Sequence, residues 1–416
     1  MQKKKSNGVI SKKSHVLIAT FSPWRNGVRL PINGNLEPMR DFFAPRVARL
    51  VLIDQVYPGS DFVLPRTEIY ENNTMRLLRT PILMYLLYPL LLLTNISGTQ
   101  IIFKIRDYIS VLFEGLRTKR TFDIFIGFEA INALSGVLLR ALGKVTHVVY
   151  YVSDYSPKRY TSRWFNNVYL WLDRQAAMRA DVIWDVSKAM MPARVKEGLD
   201  PIKAAPVLHV PNALYPAQIH ALPDSEIKKY SVVFLGTLGY ENGPDIAVKA
   251  MSLVRKKIPM AVLHIIGGNE PNEDRLKDLA RSLGVSSHVV FHGFINTREN
   301  ISALARICQV SVAPYKYVDG SARLYGDATK IRAYVAAGLP VITTRVPPLG
   351  KEIEAAGAGL IVDDTPEAFA DAIVSIFQNR DMYMSMRHKA ILFAKQNTWE
   401  REFTKALAAM NKQLFV

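Results

Sequence analysis

Short runs of consecutive apolar residues recur along the chain with helical segments between them. In the first half they fall at residues 15–20, 49–54, 123–128, 145–152 and 181–186. In the second half they fall at 231–235, 261–266, 288–291, 310–313, 341–344 and 359–362. Helices are expected at 36–47 and 101–119 and from about 327, with a terminal helical region over 381–414. Apolar strands alternating with helices predict parallel sheets covered on both faces. The stretch 211–229, with its prolines and polar residues, reads as a linker between two such series. At 416 residues the chain is too long for one ordinary core, and two α/β domains of about 200 residues are the natural division. Doubly wound domains bind ligands at the carboxyl ends of their strands.

One segment departs from this pattern. Residues 80–103 form a run of 24 without a charge, containing PILMYLLYPLLLL. Its length would span a bilayer, but Pro89 and the polar TNISGTQ favour an interfacial or monotopic element over a span. A buried core helix is the other alternative. Arg76, Arg79, Lys104 and Arg106 flank it. Composition sharpens this reading, since 53 Lys+Arg against 36 Asp+Glu leave a formal charge of +17. Such a surface favours anionic lipid or phosphorylated substrates. No RNA-recognition signature or zinc-ligand cluster is evident, so nucleic acid is not an expected partner. The basic N-terminus lacks the long apolar core of a signal peptide. Cys308 is the single cysteine and is expected to be a small buried residue.

The densest chemical information lies in residues 313–344, APYKYVDGSARLYGDATKIRAYVAAGLPVITT. A strand end leads through a polar loop to a helix start near Gly326 and Asp327. Free backbone N–H groups and the positive dipole end there suit an anion such as a diphosphate. Lys330 stands in the first helical turn, where a cation gives no helix stabilisation and can reach a phosphate instead. Gly338 fits a helix C-cap, and Pro340 prevents continuation. Gly236 and Gly239, after the first strand of the second series, let backbone approach a ligand closely.

The run TKIRAYVAAGLPVI (329–342), after a strand ending in Pro314-Tyr315, resembles the nucleotide-binding helix of GT-B glycosyltransferases. The segments 232–251, 263–285 and 289–295 agree with that resemblance, which extends from about Val145 to the C-terminus. It implies a GT-B fold of two Rossmann-like domains facing a central cleft. Residues 1–212 would bind the acceptor and associate with a membrane, and 213–396 would bind a nucleotide-sugar. Residues 397–416 would form a helix crossing back, with Trp399 and Phe403 as anchors. Two departures matter. Tyr325 and Ala333 stand where common retaining members carry a pair of glutamates, and Thr237 and Asn242 replace basic residues. The pattern of Tyr315 with Thr329-Lys330 is similar instead to the membrane-associated xanthan-type glucuronosyltransferases, an inverting group.

Sugar transfer needs a base for the acceptor hydroxyl and positive charge on the departing diphosphate. Asp154, after the strand 145–152, is the candidate base, and cover by Tyr150, Tyr151 and Tyr155 would raise its pKa. It could alternatively cap a turn before Ser156-Pro157. Lys330 is the candidate for the diphosphate, with hydroxyls from Thr329 and Ser321 and with Arg323 or Arg332 as further cations. Tyr315 could stack on a base, bond a phosphate or pack the strand end. The loop ending at Ile295 matches one that holds the base through backbone contacts in the family. Asp173 reads as a helix-surface or ion-pairing residue beside Arg174, Ser187 as a helix cap, and His264 and His292 as satisfied strand residues. The loop with Trp24, Arg25, Asn26 and Gly27 could line the acceptor side.

No credible DxD pair occurs, so transfer is expected to be metal-independent, with a UDP-sugar as co-substrate and no other cofactor. The expected acceptor is a lipid-linked saccharide at the cytoplasmic face of the membrane. A nucleotide-sugar epimerase and a non-catalytic membrane-surface protein of the same fold are the alternatives. A dinucleotide dehydrogenase is disfavoured, because no G-x-G-x-x-G follows residues 15–20.

Overall fold

A computed structural model describes residues 9–30, 35–57, 59–80, 84–86, 100–268, 270–295 and 298–414. They divide into two compact units, residues 1–211 with 402–416 and residues 212–401.

The first unit is built on β1 (His15–Ser22), the short hairpin β2 (Trp24–Arg25) and β3 (Val28–Arg29), and β4 (Arg49–Val56). It continues with β5 (Arg66–Glu71), β6 (Thr74–Arg79), β7 (Phe122–Phe128), β8 (Val145–Val152), β9 (Val182–Asp185) and β10 (Val207–His209). Apart from the hairpin these form one sheet in the order β10-β9-β8-β7-β1-β4-β5-β6. The β4–β5 and β5–β6 pairings at its edge are antiparallel, and the other pairings are parallel. The apolar runs read from the pattern are the parallel strands, which are almost wholly buried because helices cover both faces.

The second unit carries β11 (Ser231–Leu235), β12 (Val262–Ile266), β13 (Val289–Phe291), β14 (Val310–Ala313), β15 (Val341–Thr343) and β16 (Gly359–Ile361). All are parallel, in the order β13-β12-β11-β14-β15-β16. The order reverses between β11 and β14, and such a switch point leaves a crevice at the carboxyl ends of the two strands.

One expectation changes. The stretch read as a linker is packed onto the second unit: the Leu214 N–H donates to the Asn397 carbonyl at 3.1 Å and that of Lys228 to Ile307 at 2.8 Å. The terminal helical region is two helices, Arg380–Gln396 and Trp399–Leu414. Phe403 of the latter stacks on Trp184 at 6.2 Å and meets Phe42 edge-on at 5.2 Å, within the first unit.

Of the uncharged segment at 80–103, residues 81–83 and 87–99 lie outside the described residues, as does the basic arm 1–8. Among the described residues, no helix is long and apolar enough to cross a membrane.

Candidate functional site

At the switch point of the second unit, the loops after β11 and β14 interlock. Gly243 has φ +63°, and a Cβ there would lie 1.8 Å from the Pro314 carbonyl oxygen, so only glycine permits this approach. The Ser321 hydroxyl donates to Glu241 at 2.8 Å and accepts from the Arg323 N–H, fixing one loop to the other. The helix Thr329–Ala336 then starts at Ala328 without a side-chain cap and without an acidic residue in its first turn. Its first N–H groups therefore point outward uncapped, the arrangement that suits an anion.

Tyr334 ties this helix across the seam. Its hydroxyl accepts from the Leu235 N–H at 2.6 Å, at the end of β11, and donates to the Val312 carbonyl at 3.1 Å, in β14. One turn earlier, Lys330 extends over the rings of Tyr315 (4.4 Å) and Phe234 (4.8 Å). Its ammonium donates to Asn242 Oδ1 at 3.1 Å, and the Asn242 amide donates to Thr237 Oγ1 at 2.6 Å. Gly236 (φ +131°) leaves room for this lysine: a Cβ there would approach its Nζ to 3.1 Å. Burial and the nearby charge of Arg323 hold the Lys330 pKa well below the usual lysine value.

The candidates drawn from the sequence sort as follows. Lys330, Tyr315, Arg323 and Gly236 come together, and Thr329 is exposed at the helix start. Tyr315 is 1% exposed, so it forms the floor beneath the two cations and presents no face for a base to stack on. Ser321 is committed to Glu241. Gly239 has φ −71°, and a Cβ there would meet nothing within 4 Å, so no steric need for glycine arises. Ile295 is partly buried against the core beneath the helix. Arg332 is a buried partner of Asp327 at 2.8 Å, not a cation for the site. The second Asp327 contact, from the Asn212 N–H at 2.8 Å, anchors the approach to the helix.

In the first unit Asp154 follows β8. Two of the three tyrosines expected to cover it turn elsewhere: Tyr150 donates to Asp173 at 2.6 Å and Tyr151 to the Val210 carbonyl at 3.1 Å. The Asp154 side chain is 49% exposed and pairs with Arg159 at 3.5 Å. Asp173 pairs with Arg194, not Arg174, and Arg194 also holds Asp185 at 2.7 Å in a fully buried triad. Ser187 caps the turn before Met190–Lys196 by accepting from the Ala189 N–H at 3.2 Å. Trp24 is buried, donates to Asp54 at 3.0 Å and lies under Arg66, so it locks its loop instead of lining a surface.

Sequence reasoning passed over Glu129. This residue follows the end of β7 with φ +63°, a conformation costing a non-glycine residue about 1–3 kcal/mol and often found at functional sites. Its carboxylate accepts from Ser153 Oγ at 3.0 Å, and burial raises its pKa against the opposing charge of Arg159. No local motif marks it. Among the described residues, no group of three or more His, Cys, Asp or Glu is placed to hold a metal ion.

Residues 219–393 match the family model described as "Glycosyl transferases group 1". A GDP-mannose-dependent alpha-(1-6)-phosphatidylinositol monomannoside mannosyltransferase of Mycobacterium tuberculosis is 29% identical over 157 residues, covering 38% of this chain and 40% of that enzyme. The chain thus spans less than half the length of that curated relative. Among solved structures, Anabaena HepE in complex with UDP superposes with a TM-score of 0.65 at 14% identity, covering 95% of this chain and 100% of HepE. WaaG, described as a glycosyltransferase involved in lipopolysaccharide biosynthesis, gives a TM-score of 0.61 at 16% identity over 95% of this chain and 99% of WaaG.

Proposed function

We propose that this chain, of GT-B fold and with residues 219–393 matching the model of group 1 glycosyltransferases, transfers a sugar from a nucleoside-diphosphate donor to an acceptor hydroxyl. The observation that carries this reading is the cradle at the β11/β14 switch point. An uncapped helix start, Lys330 hydrogen-bonded to a neutral amide, and Arg323 over the same tyrosine converge there. In the reaction Lys330 and the first-turn N–H groups offset the charge that builds on the diphosphate as the glycosidic bond to it breaks. UDP is the proposed nucleotide, since HepE, of the same fold, forms a complex with it; the mycobacterial relative is named for GDP-mannose.

Asp154 is the proposed base, taking the acceptor proton while the oxygen attacks the anomeric carbon from the face opposite the diphosphate, which inverts that centre. Tyr325 and Ala333, in place of paired glutamates, support inversion over retention. The proposed acceptor is a lipid-linked saccharide at the cytoplasmic membrane surface. The charge of +17 and the uncharged segment at 80–103 support it. The donor chemistry is proposed to be metal-independent, with cations of the chain on the diphosphate.

Thermal stabilisation by UDP, GDP, ADP, dTDP and NAD⁺ without added metal tests the first step. Selective stabilisation by one nucleoside diphosphate, lost in Lys330→Ala, is the expected result. No response to any nucleotide would overturn the reading. With donor and acceptor identified, Asp154→Asn is expected to abolish turnover while leaving nucleotide binding intact.

A further inference from the structure

The first unit contains a cavity of about 350 Å³ between the helices Gln100–Arg117, Glu129–Ala141 and Arg163–Arg179. A second hollow of about 460 Å³ adjoins it, and the two share Tyr108, Ile131 and Leu172 in their walls. Together they form one groove along the helix Glu129–Ala141, whose 13 residues make it roughly 20 Å long. The first cavity has one charged end. The charged lining residues of the first cavity are Lys104, Glu129 and Arg159, and Glu129 feels the charge of both cations. From that end onward the floor is aliphatic, with Ile131, Leu134, Leu138 and Ala141, and the second hollow adds Gln175 and Arg179 to its lining. Trp164 and Trp171 are more than half exposed along the rim, as is a large part of Ile105.

We propose that this groove holds the hydrocarbon chain of the acceptor, an amphipathic lipid whose polar head lies at Glu129 and Arg159. The inference rests on the transferase reading above and names the part of the acceptor that the first unit grips. Three observations carry it. A volume in this range is that of a small-molecule site, not of a packing defect. Its walls are apolar enough that water gains little there, and a chain buried in it leaves water with favourable free energy. Its charged end is continuous with the candidate base, because Arg159, which lines it beside Glu129, pairs with Asp154 at 3.5 Å. A chain lying in the groove with its head at that end brings a head-group hydroxyl toward Asp154. A soluble sugar would have no use for the apolar length of the groove. A bilayer surface would meet the rim tryptophans without filling the interior.

The test is isothermal titration of the full chain with dodecyl phosphate below its micelle concentration, with inorganic phosphate as the polar control. Farnesyl phosphate in a parallel titration separates straight-chain from isoprenoid preference. The expected result is saturable binding of an alkyl phosphate and none of inorganic phosphate. Ile131→Trp fills the point where the two hollows meet and is expected to weaken binding by roughly tenfold or more. Ile105→Asp, on the exposed rim, provides a second variant if the first fails to fold. UDP stabilisation, read on the second unit, should be unchanged in both and serves as the folding control. Binding insensitive to both variants, no saturable binding, or association with anionic vesicles alone would overturn the proposal. UDP binding without alkyl phosphate binding would leave sugar transfer standing and remove the lipid groove. Alkyl phosphate binding without nucleotide binding would do the reverse.

Discussion

The Lys330 ammonium donates to Asn242 Oδ1 at 3.1 Å across 88 residues of sequence, and it takes part in no ion pair among the described residues. A half-buried cation with only a neutral amide as hydrogen-bond partner among those residues is a destabilising feature. Lys330→Met keeps the length and removes the charge. It is expected to raise the thermal midpoint while weakening nucleoside-diphosphate binding by about 1.5–3 kcal/mol, the range for a hydrogen bond to a charged group. A lower midpoint with unchanged binding would assign Lys330 to packing.

Burial and Arg323 depress the Lys330 pKa. A bound diphosphate reverses that balance and raises the pKa, so binding should take up a proton. Affinity is therefore expected to fall as pH rises above the depressed free-state value. Calorimetry of UDP binding in buffers of different ionisation enthalpy reads the uptake directly. An enthalpy independent of the buffer would mean that Lys330 is already charged before UDP binds.

Tyr334 spans the seam that creates the site, with one hydroxyl serving both β11 and β14. Tyr334→Phe leaves the Leu235 N–H and the Val312 carbonyl without that partner in a buried place. The expected cost is about 1–3 kcal/mol in urea unfolding, with a further loss of nucleotide affinity as the helix carrying Lys330 loosens. Loss of stability alone would make Tyr334 a brace for the strands and not for the site.

In the first unit, Arg194 neutralises both Asp173 and Asp185 in the buried core. Removing it strands two carboxylates. Arg194→Met should cost about 3–5 kcal/mol, and the loss should shrink in the triple variant with Asp173→Asn and Asp185→Asn, measured by chemical denaturation. Equal losses in both would show that the triad acts through shape and not charge.

The parallel strands were legible because each is buried on both faces, and a continuous apolar run is the direct trace of that environment. The antiparallel edge was not read, since β5 and β6 mix polar and apolar residues on a half-solvated edge. Their turn did leave a mark: Asn72 and Asn73 both adopt left-handed φ, 48° and 67°, as a tight hairpin requires. Lys330 could be read because its helix start, its loop and its strand are contiguous. Asn242, Tyr334 and the Asp327–Arg332 pair act through contacts that only folding creates. Glu129 lies further still from local inference, since nothing about its neighbours announces a left-handed glutamate.

His264 and His292 stack at 5.3 Å, with Nδ1 of the first 3.0 Å from Nε2 of the second. One ring N–H can bridge them only while the pair is not doubly protonated. Burial, then the charges of His292 and Lys228, push the His264 pKa down to about 4 from an ordinary value of 6.5. The His292 pKa is lowered as well, by burial and Lys228. The unfolded chain therefore binds protons at higher pH than the folded one. This contribution to stability is fully present above about pH 6.5 and declines as pH falls toward 4. Urea midpoints measured through that window should fall steeply in the native protein and less steeply in His264→Phe, which cannot charge. If the two slopes coincide, the acid sensitivity lies with the carboxylates, and the histidine pair is only a packing contact between β12 and the residue following β13.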